Sequence, residues 1–401
     1  MRILYMVHQF FPNYYTGTER LTLDLACHMQ KMGHSPTVLT YDPDPGCEGF
    51  ESLSENVLVK KYSYQGVPVV MLKQIPSSRT YEIFQPAIDR AFKKLRLDCD
   101  IVHVCHPKWV SAAARACEGN GCPVVLTLTD PWLLCPRETL IDREFWLCSG
   151  PQSGKKCVSV CGFGQEMVDR CRDSLSLLDM TDRVVTSSAF TAALFRANGW
   201  KGGISIIRHS IDYRFIGTRR SDSSGITFGY IGTIALHKGL HILLRAFRKV
   251  SLPGIALKVY GSALQHSTYA TEVVDLARVD PRIQFMGSFT MEDLSRVMEG
   301  ISVLVVPSVY YENYPLVLLI ALAYKVPVIA SKIGGIPEVI QDGINGFLFE
   351  PGDSNDLATI IEKIAKESVI VQRLRENIVS PRRIEEEALD YENIYRTLTS
   401  H

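Results

Sequence analysis

A chain of 401 residues has room for two domains. Hydrophobic residues at 46% and charged residues at 21% match an ordinary globular protein and argue against disorder. Lys plus Arg and Asp plus Glu stand at 43 each, so no excess charge favours a nucleic-acid partner. The opening apolar run, 1–7, is cut by His8, Gln9 and Pro12 and is too short for a signal core or a membrane span. The expectation is a cytoplasmic protein, whose 11 cysteines read as free thiols or metal ligands rather than disulfides.

Short β-branched runs alternate with longer amphipathic stretches, the pattern of parallel sheets joined by crossover helices. In the first half the pattern predicts strands at 2–8, 36–41, 101–105, 124–129, 183–186 and 204–208, with helices between them such as 19–32 and 81–95. The polar stretch Arg219-Arg220-Ser221-Asp222-Ser223-Ser224-Gly225 lacks an apolar period and reads as a linker. Further strands are predicted at 226–231, 256–260, 283–286, 303–306 and 327–330, and a last helix at 384–398 follows Ser380-Pro381. The expected architecture is α/β, with one Rossmann-like parallel-sheet domain over 1–220 and a second over 221–380. Open sheets of this kind bind ligands beyond the carboxyl ends of their strands.

Four loops carry candidate chemistry. After the opening strand, Thr16-Gly17-Thr18-Glu19 enters a helix whose N-terminus could meet an anion at Gly17 and Thr18; the plainer reading makes Thr18 a helix cap. Gly232-Thr233 follows the strand at 226–231, and Lys238-Gly239 stands at the next helix entry, where a lysine can neutralise a pyrophosphate or simply face solvent. The strand at 303–306 runs into Pro307-Ser308, then Glu312-Asn313-Tyr314-Pro315 and the apolar helix beginning at Leu316 and Val317. Pro315 suits a first helical position, free amides there favour phosphate, and Glu312 could accept bonds from sugar hydroxyls. An ordinary strand–loop–helix unit with a solvated Glu312 is the alternative. Gly334-Gly335-Ile336-Pro337-Glu338 adds a glycine pair that permits positive φ and close backbone approach to a ligand, or marks a turn.

Together these units resemble the family-4 retaining glycosyltransferases of the GT-B fold, in which two Rossmann-like domains face a central crevice. The resemblance covers nearly the whole chain. It is most specific between Gly229 and Asp353, where Gly232-x5-Lys238-Gly239, Pro307-Ser308-x3-Glu312-Asn313-x-Pro315-Leu316-Val317, Gly334-Gly335-Ile336-Pro337-Glu338 and Asp342-Gly343-x-Asn345-Gly346-Phe347 occur in the family's order. It implies sugar transfer from a UDP- or GDP-sugar donor to a glycan, lipid-linked or small-molecule acceptor, in surface polysaccharide or glycoconjugate synthesis and without a catalytic metal. By the same resemblance Lys238 holds the donor diphosphate and Glu312 the donor sugar. The backbone from Asn313 and Tyr314 to Leu316 and Val317 binds sugar hydroxyls and phosphate, Gly232, Thr233, Gly334 and Gly335 line the donor, and Gly17 lies by the phosphate. The segment 381–401 is expected to return to the first domain. Three positions depart from the family pattern. Ile320 replaces the second Glu of an E-x7-E motif that binds the nucleotide ribose, an Arg near Thr233 is missing, and a His-Asp pair reads Thr129-Asp130. Asp130 joins Lys238 and Glu312 as an expected catalytic residue. Ile320 lies in a helix apolar nearly all round, so burial is expected there. A non-catalytic GT-B subunit and a nucleotide-sugar epimerase are the rival readings.

The insert 131–164 carries Cys135, Cys148, Cys157 and Cys161, with C-x3-C spacing for the last two. Four thiolates could hold a structural zinc ion, and buried free thiols are the alternative. His103 and His106 flank a strand end and read as crevice lining, core residues or metal ligands. Arg90, Lys93, Lys94 and Arg96 share one helix with Phe92 and Leu95. They read as a solvated basic face, or as a peripheral contact with the anionic inner membrane face.

Overall fold

The computed structural model describes residues 1–44, 46–74, 86–95, 98–118, 121–217, 225–262 and 267–400. Two compact units divide the chain, Met1–His209 together with the last helix from Ile384, and Ser210–Arg383. The boundary thus differs from the 220 and 380 read from the sequence. Ile211 pairs with Arg383 and packs in the second unit's core, which draws residues from 210 onward into that unit. Most of the polar linker, 219–224, lies outside the described residues, as do the first residues of the helix expected at 81–95 and Arg96.

In the first unit nine strands form one sheet. They are β1 (Arg2–Met6), β2 (Ser35–Tyr41), β3 (Glu51–Ser54), β4 (Val57–Tyr64), β5 (Val67–Gln74), β6 (Ile101–Val104), β7 (Val124–Leu128), β8 (Arg183–Thr186) and β9 (Ile204–Ile206), in the order β3-β4-β5-β2-β1-β6-β7-β8-β9. All neighbours run parallel except β3–β4 and β4–β5. Alternate residues of β1 serve opposite cores, Leu4 and Met6 on one face and Ile3 and Tyr5 on the other, as a sheet covered on both sides requires. The last helix, Ile384–Thr399, buries Ile384, Ala388, Tyr391 and Tyr395 against the second of these cores. Their spacing repeats on one helical face. Tyr395 Oη lies 2.6 Å from His103 Nδ1, and Thr127 Oγ1 lies 2.7 Å from His103 Nε2. Burial pushes the His103 imidazole down to about 3, so it is a neutral core residue.

In the second unit six parallel strands follow the order β12-β11-β10-β13-β14-β15. They are β10 (Ile226–Ile231), β11 (Ile255–Tyr260), β12 (Ile283–Gly287), β13 (Val303–Val306), β14 (Val328–Ser331) and β15 (Gly346–Phe349). The helices Leu240–Lys249 and Ser354–Lys366 pack beside each other on one face of the sheet, and the helix Leu316–Ala323 covers the other. No described helix is long and apolar enough to cross a membrane.

Candidate functional site

In the second unit the candidate residues lie beyond the ends of β10, β13 and β14, which are neighbours in the sheet. Lys238 closes a 3-10 turn, Leu236–Lys238, and Gly239 follows at φ +71. A Cβ on Gly239 would meet Pro307 O at 1.8 Å, so only glycine lets this turn lie against the loop after β13. The Val309 amide donates to His237 O at 2.9 Å and joins the two loops again. Lys238 Nζ then lies 2.9 Å from Glu312 Oε1 and donates to Tyr310 Oη at 2.6 Å. Ser308 Oγ donates to the same carboxylate oxygen at 2.8 Å, and Tyr310 Oη donates to Oε2 at 2.8 Å. Burial works to raise the Glu312 carboxyl, but the Lys238 charge and these hydrogen bonds outweigh it and hold it below the usual range. Lys238 is raised in turn, because Glu312 and Tyr310 outweigh its desolvation. Both groups are therefore charged, and each neutralises the other.

The glycine pair supports this arrangement from behind. Gly334 has φ +60, and a Cβ there would stand 2.2 Å from Glu312 O. Gly335 donates its amide to that same carbonyl at 2.8 Å. The close backbone approach expected of these glycines is made to Glu312 itself. Gly232 plays a similar part further along, donating to Tyr260 O at 3.1 Å, while Tyr230 Oη donates to Thr233 O at 2.8 Å. Pro315 is the N-cap of Leu316–Ala323 rather than its first helical residue, because its ψ of 120° is still extended. The first-turn amides of Leu316 and Val317 have no intrahelical acceptor. Asn313 and Tyr314 lie in the turn before it, half-buried. Ile320 is half-buried, not buried: Leu318, Leu319, Ala321 and Leu322 face the core, which leaves Leu316, Val317, Ile320 and Ala323 on the more open side.

In the first unit a second cluster stands beyond β1, β6 and β7, again neighbours. His8, His106 and Asp130 each lie two residues past their strand's end. The His8 and His106 rings lie 3.9 Å apart between centroids, tilted by 34°. His106 Nε2 is 2.8 Å from Asp130 Oδ2, close but off the hydrogen-bond axis. The Lys108 amide donates to His106 Nδ1 at 3.2 Å, which places the neutral ring's proton on Nε2. Burial lowers the His106 imidazole, and the Asp130 charge more than reverses this, so it ends above its ordinary value. Burial holds His8 well below, with His106 and Lys108 adding to the effect. Asp130 Oδ1 accepts from the Trp132 amide at 2.7 Å, and Thr129 Oγ1 donates to Oδ2 at 3.4 Å.

One further carboxyl belongs to this cluster, a second lies at its edge, and neither was read from the sequence. Glu19 is fully buried, with Oε1 3.5 Å from His8 Nε2, and burial raises its carboxyl. Glu138, at the edge and itself exposed, is raised by partial desolvation and by the Asp130 charge. The signal that could have found His8 and His106 beside Asp130 is their common offset from a strand end. At the nearby helix Gly17–Lys31 the N-cap is Thr16, not Thr18, since the Arg20 amide donates to Thr16 O at 3.1 Å. The Thr16 hydroxyl is taken by Glu19. The exposed Gly17 and half-buried Thr18 thus share their helix N-terminus with the Glu19 carboxyl.

Of the other candidates, Arg90, Lys93 and Lys94 are exposed, while Ala91 and Phe92 face the core. Cys135, Cys148, Cys157 and Cys161 line one small cavity. Among the described residues no group of three or more His, Cys, Asp or Glu side chains is placed to hold a metal ion, the four cysteines of the insert included.

Two parallel-sheet units with polar clusters at their strand ends are the architecture of a GT-B glycosyltransferase. Residues 15–215 match the model of Glycosyltransferase Family 4, and residues 225–367 match that of glycosyl transferases group 1. The chain belongs to glycosyltransferase family 4. HepE from Anabaena, solved with UDP and glucose, superposes with a TM-score of 0.72 at 18% identity, covering 100% of this chain and 99% of that one. The sucrose-phosphate synthase of Thermosynechococcus elongatus gives 0.73 at 17% identity with the same coverage. A D-inositol 3-phosphate glycosyltransferase from Mycolicibacterium smegmatis is 26% identical over 235 residues, which is 55% of this chain and 54% of that protein. The chain thus spans about half the length of this curated relative, and about a third of the relative from Corynebacterium kroppenstedtii, which is 33% identical over 143 residues.

Proposed function

We propose that the protein transfers a sugar from a UDP- or GDP-sugar to a glycan or lipid-linked acceptor, with retained anomeric configuration, in surface polysaccharide or glycoconjugate synthesis. The Lys238–Glu312 pair carries this reading. A nucleoside diphosphate sugar offers each partner a replacement, phosphate oxygens for the lysine and sugar hydroxyls for the carboxylate. The Leu316 and Val317 amides add a helix N-terminus for the diphosphate. Departure of the diphosphate is stabilised by charge already in place at Lys238 and these amides, and the acceptor attacks from the face the leaving group vacates. UDP bound to HepE supports the donor class. In the first unit His106 offers an Nε2 proton beside Asp130, at the strand end next to Thr129, where the family places its histidine. A lipid-linked acceptor would bring Arg90, Lys93 and Lys94 toward an anionic membrane surface from the cytoplasmic side.

The test is a panel of UDP- and GDP-sugars assayed for binding, donor hydrolysis and transfer, with wild type and Lys238→Ala side by side. At least one donor should bind wild type and lose affinity in the variant. Equal affinity in the two proteins would remove the donor-site assignment.

A further inference from the structure

A hairpin in the insert after Asp130 holds apolar side chains out in water. Ile141 and Leu147 pair as an antiparallel bridge, and the Cys148 amide donates to Leu140 O at 2.7 Å. The Asp142 amide donates to Trp146 O at 2.9 Å, and the Phe145 amide to Asp142 O at 3.2 Å. The Asp142 carboxylate is buried and accepts from the Glu144 and Trp146 amides, both at 3.0 Å. The turn is thus closed by its own hydrogen bonds.

Leu140, Ile141 and Cys148 are buried at the foot of the hairpin, but the tip does not hide its apolar side chains. Phe145 is 67% exposed, Trp146 69% and Leu147 39%. A single exposed apolar residue is ordinary. Elsewhere among the described residues the large exposed ones stand singly, or as the pair Phe285 and Met286. Three in a row, two of them aromatic, make a continuous apolar surface that calls for an apolar partner.

Cations stand round the base of this tip. The Arg143 guanidinium lies beside Gly162, where a Cβ would meet its Nη1 at 3.3 Å. The Arg137 guanidinium lies 5.5 Å from the centre of the Phe163 ring. Lys156 lines the same small cavity as Ile141 and Cys148, and the neighbouring Lys155 is exposed. Against these cations stand the exposed Glu138 and Glu144, while the Asp142 charge is spent on the turn amides. A sugar would need hydrogen-bonding groups beside the rings, yet the amides of Asp142, Glu144, Phe145 and Trp146 are all used inside the turn. A bilayer interface asks for what is present: aromatic rings at headgroup depth and Lys or Arg stems that reach lipid phosphates.

We propose that Phe145, Trp146 and Leu147 form a finger that enters the interfacial layer of an anionic lipid bilayer, with Arg137, Arg143, Lys155 and Lys156 meeting lipid phosphates. The proposal rests on the lipid-linked acceptor of the proposed function and names the segment that holds the protein at the surface where such an acceptor lies. Arg90, Lys93 and Lys94 supply attraction that salt screens. The finger supplies apolar burial, which salt does not weaken.

Trp146 is its own probe, because the other tryptophans, Trp109, Trp132 and Trp200, are buried. The full chain is mixed with vesicles of phosphatidylcholine containing roughly 30% phosphatidylglycerol, without donor or acceptor. Expected are co-sedimentation with the vesicles, a blue shift of tryptophan emission, and quenching by lipids brominated on their acyl chains. The double variant Phe145→Ser, Trp146→Ser should keep the wild-type thermal unfolding and co-sediment at least about tenfold more weakly. Equal vesicle binding by wild type and this variant overturns the finger, and so does binding without acyl-chain quenching; either leaves a membrane contact through Arg90, Lys93 and Lys94 standing. No vesicle binding at all overturns the finger and that contact together, while the loss of donor affinity in Lys238→Ala still tests the transferase reading. A blue shift with a soluble oligosaccharide, or with rising protein concentration, and none with vesicles, overturns the proposal in favour of a glycan platform or a contact between copies.

Discussion

Both units gather polar groups beyond the ends of three neighbouring strands, but they hold them by different means. In the second unit the backbone does the placing. Gly239 lies against Pro307, Gly334 and Gly335 lie against Glu312, and the charges that result are paired. In the first unit side chains that follow separate strands crowd against a buried helix carboxyl, and burial leaves Glu19 raised and His8 lowered. The difference teaches that a charged site can be kept ready in two ways. A matched pair waits for a ligand that offers each partner a substitute. A crowded cluster keeps some groups neutral and able to take up or give a proton.

The largest effect should come from breaking the backbone contact in the second unit. Gly334→Ala places a Cβ 2.2 Å from Glu312 O at φ +60, so the loop must move. Expected are a stability loss of about 1–3 kcal/mol and a fall in turnover of roughly a hundredfold or more as Glu312 is displaced. Gly343→Ala, at φ +74 with open space around it, is the control: chemical denaturation should show strain there with turnover kept. Equal turnover in the two variants would show that the glycine contact does not position Glu312.

Next comes the pair itself. Lys238→Ala should weaken donor binding by roughly 1.5–3 kcal/mol, about ten- to a hundredfold, read by calorimetry. It should also destabilise the fold by about 1–3 kcal/mol, because the Glu312 carboxylate is left without its cation. Glu312→Gln in the same chain should recover part of that stability without recovering turnover. The folded Glu312 carboxyl is depressed, so its contribution is present above the ordinary glutamate range and is lost as pH falls through its folded value. In Lys238→Ala that loss should begin at higher pH, which denaturation at a series of acidic pH values would detect.

The first unit should respond with the opposite sign. The folded His106 imidazole is raised by Asp130. Its contribution is therefore complete below its unfolded value of about 6.5 and lost as pH rises through the folded value. Asp130→Asn should move the His106 titration seen by NMR below the ordinary histidine range and lower turnover by about tenfold, with donor affinity unchanged. A His106 titration that does not move would dissolve the proposed cluster.

The smallest effect is expected at Ile320. Since it is half-buried on the open side of its helix, Ile320→Glu should cost less than about 0.5 kcal/mol in stability. Water competes for a carboxylate placed there, so donor affinity should rise by only about 1 kcal/mol, roughly fivefold. No gain, with wild type already binding donor at low micromolar levels, would show that position 320 does not meet the ribose.

What the sequence alone determined is mostly backbone. The parallel strands, Gly239 after Lys238, the Gly334-Gly335 pair and Pro315 before Leu316 are legible because φ and ψ preferences act over a few residues. The loops that present Lys238 and Glu312 could therefore be placed from motifs alone. The antiparallel extension β3–β5 was missed, since β4 carries Lys60, Lys61 and Ser63 and its face alternates only weakly. Strand β15 was also missed, since it opens on Gly346 at the end of the turn motif Asp342-Gly343-x-Asn345. Burial of Ile320 was misjudged because a helix apolar nearly all round does not say which side meets the core. Thr16 took the cap from Thr18 by a single backbone hydrogen bond. Only the tertiary structure decided that Lys238 and Glu312 neutralise each other, that Gly334 packs on Glu312, and that His8, Glu19, His106 and Asp130 meet. The last depends on the order β1-β6-β7 in the sheet. Strand order is set by packing over the whole unit, and no local pattern of residues encodes it.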